Sequence, residues 1–348
     1  MNDVHLVHIG NQTIGKGKPI LVQTMYDDSL PIDRKSAEEL LIRIGKLNMM
    51  GCDIIRFSYP SKNDHAVFKY LCKSSPIPIV ADIHFDHTLA LDAIEAGAHK
   101  IRINPGTIGA RWKVDEVVRA AKDHDIAIRI GLNSGSLPRK EASSPAKLMS
   151  DTALEYLDWF ERLSFTNTVI SLKGSDTDLT IEANRLFAKE SSYPIHLGVT
   201  EAGSVISAVT RSTWALGTLL SEGIGNTLRI SITGEIETEI QAGVELLRTL
   251  GLRKKGIRVV SCPRCGRHTF DTMGFLASVE EELLTIDKDL TVAIMGCQVN
   301  GPGEAKAADV AVAGIGNAIF LYEKGVLSKK VKTEEAKDAL LEAIRNAE

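Results

Sequence analysis

The chain has 348 residues, more than a single hydrophobic core usually organises, so one large and one small domain are expected, each able to fold without disulfide staples. Its 41 Lys and Arg against 45 Asp and Glu give a formal charge of -4 with no block of like charge at either end, which argues against nucleic acid as a partner. The opening MNDVHLVHIG carries neither a basic nor an apolar leader segment, and no apolar run approaches the ~18 residues of a membrane helix, so a cytoplasmic protein without membrane contact is expected.

In chain order, eight short β-rich runs alternate with helix-period stretches: PILVQTM, DIIRFSY, IPIVADI, KIRINPG, IAIRIGL, TVISLKG, IHLGVT and TLRISIT. Their spacing of roughly 30 residues is that of a strand-helix unit, which implies a parallel sheet covered by helices. Eight such units predict an α/β fold, a (β/α)8 barrel of the TIM type, over residues 1–253. A doubly wound open sheet is the competing arrangement, but no Gly-x-Gly-x-x-Gly follows the first strand. After a helix over QAGVELLRTLGL, Lys254-Lys255-Gly256 reads as a junction into a second domain, 254–348. There GIRVVSC, a helix over DTMGFLASVEEELLTID, TVAIMGC, DVAVAGI, a hairpin over AIFLYEKGVLSKKV and a helix over TEEAKDALLEAIR predict a compact α+β module.

Side chains on a strand alternate faces, so residues two apart near a strand's C-terminal end share either the barrel mouth or the helix-facing side. By that rule Asp82, His84 and Asp86 share a face, as do Arg102 with Asn104 and Arg129 with Asn133. The second strand adds Arg56, the sixth Ser171, Lys173 and Ser175, the seventh His196, Thr200 and Glu201, and the eighth Arg229 and Ser231. Five strands thus offer one cation each: Arg56, Arg102, Arg129, Lys173 and Arg229. One such Arg reads equally well as a salt bridge at the rim. Five in one concavity with few carboxylates would cost several kcal/mol per unpaired ion, unless an anion with many oxygens enters. Guanidinium forks and an ammonium suit phosphate oxygens, and the number of donors favours a diphosphate over a monophosphate. Asp82 and His84 can alternatively ligate a divalent metal, and His196 reads alternatively as a core imidazole. Gly223-Ile-Gly225-Asn226 reads as a helix-ending turn rather than a phosphate cradle.

Five cysteines is an odd count, and in a reducing compartment Cys-x-x-Cys signals metal or redox chemistry before a disulfide. Cys52 and Cys72 sit among apolar neighbours and read as core thiols. Cys262-Pro-Arg-Cys265 follows one strand and Cys297 ends another, so the three thiols can converge, one ligand short of a set. His268 would complete a zinc tetrahedron. Glu304, in the Cys297-Gln-Val-Asn-Gly-Pro-Gly-Glu304 segment, can return through a tight Gly/Pro loop and give a [4Fe-4S] cluster one labile oxygen ligand. On the residues alone both readings stay open.

At SCPRCGR together with MGCQVNGPGEA the chain resembles the 4-hydroxy-3-methylbut-2-enyl diphosphate synthases of the non-mevalonate isoprenoid pathway. The resemblance continues through DIIRFSYP, ADIHFD, KIRINPG, RIGLNSGSL, SLKGSD, HLGVTEAG and LRISITGE in the family's order. It implies a barrel followed by a reductase-like module that holds a [4Fe-4S] cluster on Cys262, Cys265, Cys297 and Glu304. It further implies a cyclic diphosphate gripped by Arg56, Arg102, Arg129 and Lys173, supported by Asn104, Asn133 and Ser231, with Asp82 and His84 orienting it and Arg229 alongside. The implied reaction is reductive ring opening and dehydration of 2-C-methyl-D-erythritol 2,4-cyclodiphosphate, with electrons from flavodoxin or ferredoxin. In it Glu304 moves aside and Glu201 donates a proton. A head-to-tail homodimer, each barrel capped by the partner's cluster domain, is implied as well. The chain departs from the family at QTMYDDSLPID after the first strand and lacks the domain some members insert, so it resembles the short two-domain bacterial form. The alternatives are a phosphate-binding aldolase- or pterin-type barrel enzyme with a structural zinc module, and a non-catalytic metal-binding scaffold.

Overall fold

The computed structural model describes residues 4–136, 144–263, 265–297, 301–316 and 318–347, which form two compact units, Met1–Arg253 and Lys254–Glu348. The first unit begins with an antiparallel hairpin, β1 (Val7–Ile9) and β2 (Gln12–Ile14), turning through Gly10 at φ 57°. Eight parallel strands follow: β3 (Leu21–Met25), β4 (Ile54–Ser58), β5 (Ile79–Asp82), β6 (Lys100–Ile103), β7 (Ala127–Asn133), β8 (Thr168–Lys173), β9 (His196–Leu197) and β10 (Thr227–Leu228). Between and after them run α1 (Arg34–Met49), α2 (His65–Ser74), α3 (His87–Glu95), α4 (Pro105–Ile108), α5 (Arg111–Asp123), α6 (Pro145–Arg162), α7 (Thr177–Glu190), α8 (Val205–Ser221) and α9 (Ile236–Thr249). The strand order is β8-β7-β6-β5-β4-β3-β10-β9, and a parallel bridge between Ile170 and Ile195 brings β8 back to the start of β9. The eight expected strands are therefore all present, in a nearly closed barrel.

The strands are buried on both faces, which is why they read as apolar runs. One set of side chains, including Ile55, Phe57, Ile79, Ala81, Ile101 and Ile103, is buried on the helix-facing side. On the inward face the lowest layer is apolar: Leu21, Ile54, Val80, Ala127 and Val169 pack against Val7, Ile9 and Ile14 of the hairpin. Each of those hairpin side chains is fully buried, a gain of about 1.5–3 kcal/mol apiece, so β1 and β2 form the barrel's floor. One residue pair further along each strand, the same inward face becomes polar. Several strand-to-helix connections end on a side chain that caps the helix: Asp33, Asp86, Asn104, Ser144 and Asp176 each accept a backbone N–H of the first turn.

The second unit is a five-stranded sheet, β11 (Ile257–Ser261), β12 (Leu290–Met295), β13 (Val310–Ile315), β14 (Ala318–Glu323) and β15 (Val326–Lys332), parallel through β13 and antiparallel after it. α10 (Thr272–Leu284) and α12 (Ala336–Asn346) share one apolar core with the sheet. α11 (Gly301–Ala307) packs Ala305 into a second cluster with Ala293, Met295 and Ala311. The Gly-Pro-Gly-Glu segment is thus a short helix where a tight loop was expected. Glu304-Ala-Lys-Ala is a helix-forming run, and proline is tolerated in a first turn, where its missing N–H has no intrahelical role.

Candidate active site

Strand register sets the barrel's inward charges side by side. Asp82, Arg102 and Arg129 are consecutive partners across β5, β6 and β7, and Asn133 pairs with Lys173 across β7 and β8. Asp82 is the shared counter-ion: Arg102 Nη1 lies 3.3 Å from its Oδ1, and Arg56 Nε lies 3.7 Å from its Oδ2. Arg229 has a carboxylate of its own, because Glu239 on α9 accepts from its Nε at 2.9 Å and its Nη2 at 2.7 Å. Glu239 also accepts from the Thr24 hydroxyl and the Ile232 N–H, and is 2% exposed. The rim salt bridge therefore describes Arg229, while Arg56 and Arg102 share Asp82, which also acts on Arg129.

That balance leaves buried donors unmet. Arg129 is 1% exposed, and its Nε and Nη1 find no hydrogen-bond partner among the described residues; the same holds for Nε of Arg56 and of Arg102. The Arg56 guanidinium is brought down to about 10, chiefly by burial, with Asp82 opposing the shift and Arg229 and Arg102 adding to it. Burial and the neighbouring Arg56 and Arg102 hold Arg129 well below its ordinary range. At Asp82 burial raises the carboxyl, but Arg56, Arg102 and Arg129 outweigh it and the net direction is down. A buried guanidinium without acceptors is a strained state that an anion relieves.

Two glycines make room for these side chains. A Cβ on Gly131 would lie 2.6 Å from Arg102 Nε, and one on Gly198 would lie 2.6 Å from Lys173 Nζ. Lys173 Nζ is 3.1 Å from His196 Nε2, and His196 Nδ1 is 2.8 Å from the Thr227 hydroxyl. His196 is fully buried with both nitrogens engaged, and burial followed by Lys173 lowers its pKa well below normal, so it is the neutral core imidazole. Met25 Sδ lies 2.8 Å from Arg56 Nη2, a contact the sequence did not signal.

The remaining expected residues are distributed around the mouth. His84 is exposed, with Nε2 3.8 Å from Asp82 Oδ2. Because Asp82 is committed to two guanidinium groups, the geometry does not favour Asp82 and His84 as metal ligands. Asp86 leaves the shared face to cap α3, and Asn104 Oδ1 accepts from Gly106 N–H at 3.1 Å as the cap of α4. Ser231 and Asn133 are half-buried near the ends of their strands. Glu201 is exposed in the left-handed region at φ 55°, which costs a non-glycine residue about 1–2 kcal/mol and concentrates at functional positions. Cys52 and Cys72 are buried thiols raised by desolvation, Cys52 to about 12, and the Gly223–Asn226 stretch follows the end of α8, as expected.

In the second unit Cys262 and Cys297 follow the ends of the adjacent parallel strands β11 and β12. The Gly296 N–H donates to Cys262 Sγ at 3.2 Å, and a Cβ at Gly296 would lie 3.5 Å from that sulfur. Cys265 is exposed, and the His268 ring turns its Nδ1 to the Cys265 carbonyl at 2.6 Å. Glu304 is exposed in the first turn of α11. None of the five cysteines is in a disulfide, and among the described residues no three His, Cys, Asp or Glu are already gathered as a metal set.

Two family models cover most of the chain: the GcpE TIM-barrel domain matches residues 4–244 and the GcpE protein C-terminal domain residues 258–346. The chain belongs to the GcpE family. Among GcpE relatives, the 4-hydroxy-3-methylbut-2-en-1-yl diphosphate synthase (flavodoxin) of Symbiobacterium thermophilum is 44% identical over 97% of this chain and 91% of its own length. That of Geobacter sulfurreducens is 43% identical over 96% of this chain and 95% of its own. The barrel also resembles solved dihydropteroate synthases, such as that of Yersinia pestis, at TM-score 0.51 and 12% identity over 71% of this chain and 98% of that one. At that identity the likeness is one of fold, so the pterin-type alternative keeps only the barrel architecture, while the GcpE likeness runs through both units.

Proposed function

We propose that this GcpE-family chain reductively opens and dehydrates 2-C-methyl-D-erythritol 2,4-cyclodiphosphate to 4-hydroxy-3-methylbut-2-enyl diphosphate in the non-mevalonate isoprenoid pathway. Two electrons and two protons enter and one water leaves. The observation that carries this reading is the set of buried, acceptor-poor guanidinium groups of Arg56, Arg102 and Arg129 around one carboxylate. Opening the ring breaks a C–O bond and frees a phosphate oxygen, so negative charge grows where these cations and Lys173 already stand, and groups that need not reorganise stabilise that charge most. Asp82 fixes the guanidinium planes and, with His84, orients the ligand. Asn104, Asn133, Ser231 and Arg229 support it at the mouth, and Glu201 delivers a proton to the departing oxygen.

Cys262, Cys265 and Cys297 with Glu304 would hold a [4Fe-4S] cluster. The fit rests on the donor set: thiols after adjacent strand ends, an N–H aimed at the Cys262 sulfur, and one carboxylate in place of a fourth thiol. When bound, such a cluster supplies the electrons one at a time, received from a flavodoxin or ferredoxin. Exposed apolar side chains from the connections and first helical turns after the strands, among them Ile32, Phe85, Trp112 and Ile206, support a head-to-tail homodimer in which each mouth is covered by its partner's cluster-bearing unit. No described helix is long and apolar enough to cross a membrane, and the cytoplasm is the proposed compartment.

Anaerobic protein should be brown, carry about four irons and four sulfides, and turn over the cyclodiphosphate with reduced flavodoxin; Cys297→Ser should lose both colour and turnover. A colourless wild-type protein holding one zinc after anaerobic reconstitution would overturn the reductase reading and leave the barrel's anion site standing.

A further inference from the structure

Beneath the guanidinium layer lies a cation that the reading above does not use. Lys100 opens β6, two residues before Arg102 on the same inward face, and in register it pairs with Val80 and Ala127 of the apolar floor. It is 0% exposed, and its Nζ has one neutral acceptor, Gln23 Oε1 at 3.4 Å. Gln23 is itself buried, with its Nε2 unpartnered among the described residues. No ion pair among the described residues includes Lys100, since Asp82 is taken by Arg56 and Arg102 and Glu239 by Arg229.

The groups that face it are mostly positive. Arg56 on β4 and Arg129 on β7 act on its charge, it acts in turn on His196 on β9, and His196 bonds Lys173 of β8. The buried part of the well therefore gathers Lys100, Lys173, Arg56, Arg102, Arg129 and Arg229 against Asp82 and Glu239. They cannot all be charged without an anion. In the same surroundings a guanidinium holds its proton about two pH units more tightly than an ammonium, so the lysines yield first. Of the two, Lys100 is the more enclosed and has only an amide oxygen to hold its charge; burial, then Arg129 and Arg56, lower its pKa well below the ordinary value.

We propose, on the reading of the well as a diphosphate site, that Lys100 is a sixth cation of that site, uncharged while the well is empty and protonated from solvent as the diphosphate enters. One proton leaves the solvent and forms one N–H bond on Nζ for each ligand bound. Lys100 thus acts from below the Arg102 and Arg129 layer. It is a binding residue whose charge is switched on by the ligand, which favours a doubly charged anion over a singly charged phosphodiester able to neutralise only part of the well.

The test is calorimetric titration of the oxidised holoenzyme, without electron donor, with the cyclodiphosphate at pH 8 in buffers of different ionisation enthalpy. Each phosphate of that ligand has one ester link, one anhydride link and a single strongly acidic OH that does not titrate near neutrality, so any proton exchanged belongs to the protein. Wild type is expected to take up about one proton per ligand. Lys100→Met is expected to abolish the uptake and weaken binding about tenfold or more, while the empty variant melts no lower than wild type, because a side chain of similar length replaces an uncharged amine. Lys100→Gln, which can still bond Gln23, should lose the uptake in the same way, so a folding defect in one variant leaves the test intact. Binding by wild type with no proton uptake, or uptake unchanged in both variants, would overturn the role of Lys100 and leave the diphosphate reading in place. Failure of the ligand to bind wild type at all would remove both.

Discussion

The two units present their reactive groups in opposite ways. In the barrel every core cation and Asp82 lie within the strands or, for Arg229, one residue past a strand, at 0–17% side-chain exposure, and register alone sets Asp82 beside Arg102 and Arg102 beside Arg129. In the second unit the thiols come just after strand ends, Cys265 and Glu304 are exposed, and α11, which carries Glu304, is barely two turns long. The barrel therefore carries an electrostatic cost before any ligand arrives: like charges are stacked in a dry space and held there by the surrounding packing. The cysteine segment carries less, because Cys265 and Glu304 are exposed and Cys262 is half-buried, with Cys297 alone buried. Rigid elements with strained charges suit a ligand that comes and goes, since relief of strain turns into affinity, whereas short exposed segments suit a group that becomes part of the fold when it binds.

The contrast breaks most visibly at Arg129. Arg129→Met should weaken cyclodiphosphate binding by about 100-fold, because the ligand loses a buried charge-assisted partner. The same change should leave the melting temperature of the empty protein equal to or above wild type, since replacing an unpaired buried ion by an apolar group is often stabilising. Isothermal titration and thermal melts of one preparation read both effects. A variant that melts well below wild type would mean that Arg129 is satisfied in the empty well. At Gly131 the effect is smaller and the stability sign reverses: Gly131→Ala places a methyl 2.6 Å from Arg102 Nε, so the guanidinium must shift. About tenfold weaker binding with a loss of about 1–3 kcal/mol in stability is expected. Wild-type affinity in that variant would show that Arg102 does not need the pose seen here.

Much of this was legible in the residues. The eight strands announce themselves because a barrel strand is apolar on its helix-facing side, and period-two counting places Arg56, Arg102, Arg129 and Lys173 inward. The floor hairpin escaped notice because its strands are only three residues long, although Gly10-Asn11 between VHI and QTI is a recognisable turn signal. Glu239 was hidden among Glu235, Glu237 and Glu239, which look like the solvated start of a helix; only the structure turns one of them inward to Arg229. Lys100 reads as a polar strand boundary, since nothing local says that the barrel floor lies below it. By the facing rule Asn104 sits with Arg102 and Asp86 with Asp82 and His84, but a side chain just before a helix has a nearer use for its oxygen in capping that helix.

The smallest effect, and the one that probes the barrel as a whole, is the dependence of its stability on pH. Lys100, Lys173 and His196 are all lowered in the fold, chiefly by burial and then by their cationic neighbours, so the folded barrel binds fewer protons than the unfolded chain. Stability then rises with pH: His196 contributes only below about pH 6.5, where the unfolded imidazole is charged, and the lysines contribute up to about pH 10.4. Asp82 has the other sign of shift, so its contribution is present above about pH 4 and drains away only below that, outside the range that matters here. Between pH 7 and 9 Lys100 should therefore dominate, giving at most about 1.4 kcal/mol per pH unit, and the melting temperature of the empty barrel should climb by a few degrees. Trp112, Trp159 and Trp214, the three tryptophans of the chain, all lie in the first unit, so fluorescence melting reports on that unit alone. Saturating cyclodiphosphate should reduce the rise, because a bound diphosphate restores the Lys100 proton to the folded state. A melting temperature that is level or falls over pH 7–9 in the empty protein would mean that both lysines are already charged, and the electrostatic cost that separates the barrel from the cysteine segment would then be absent.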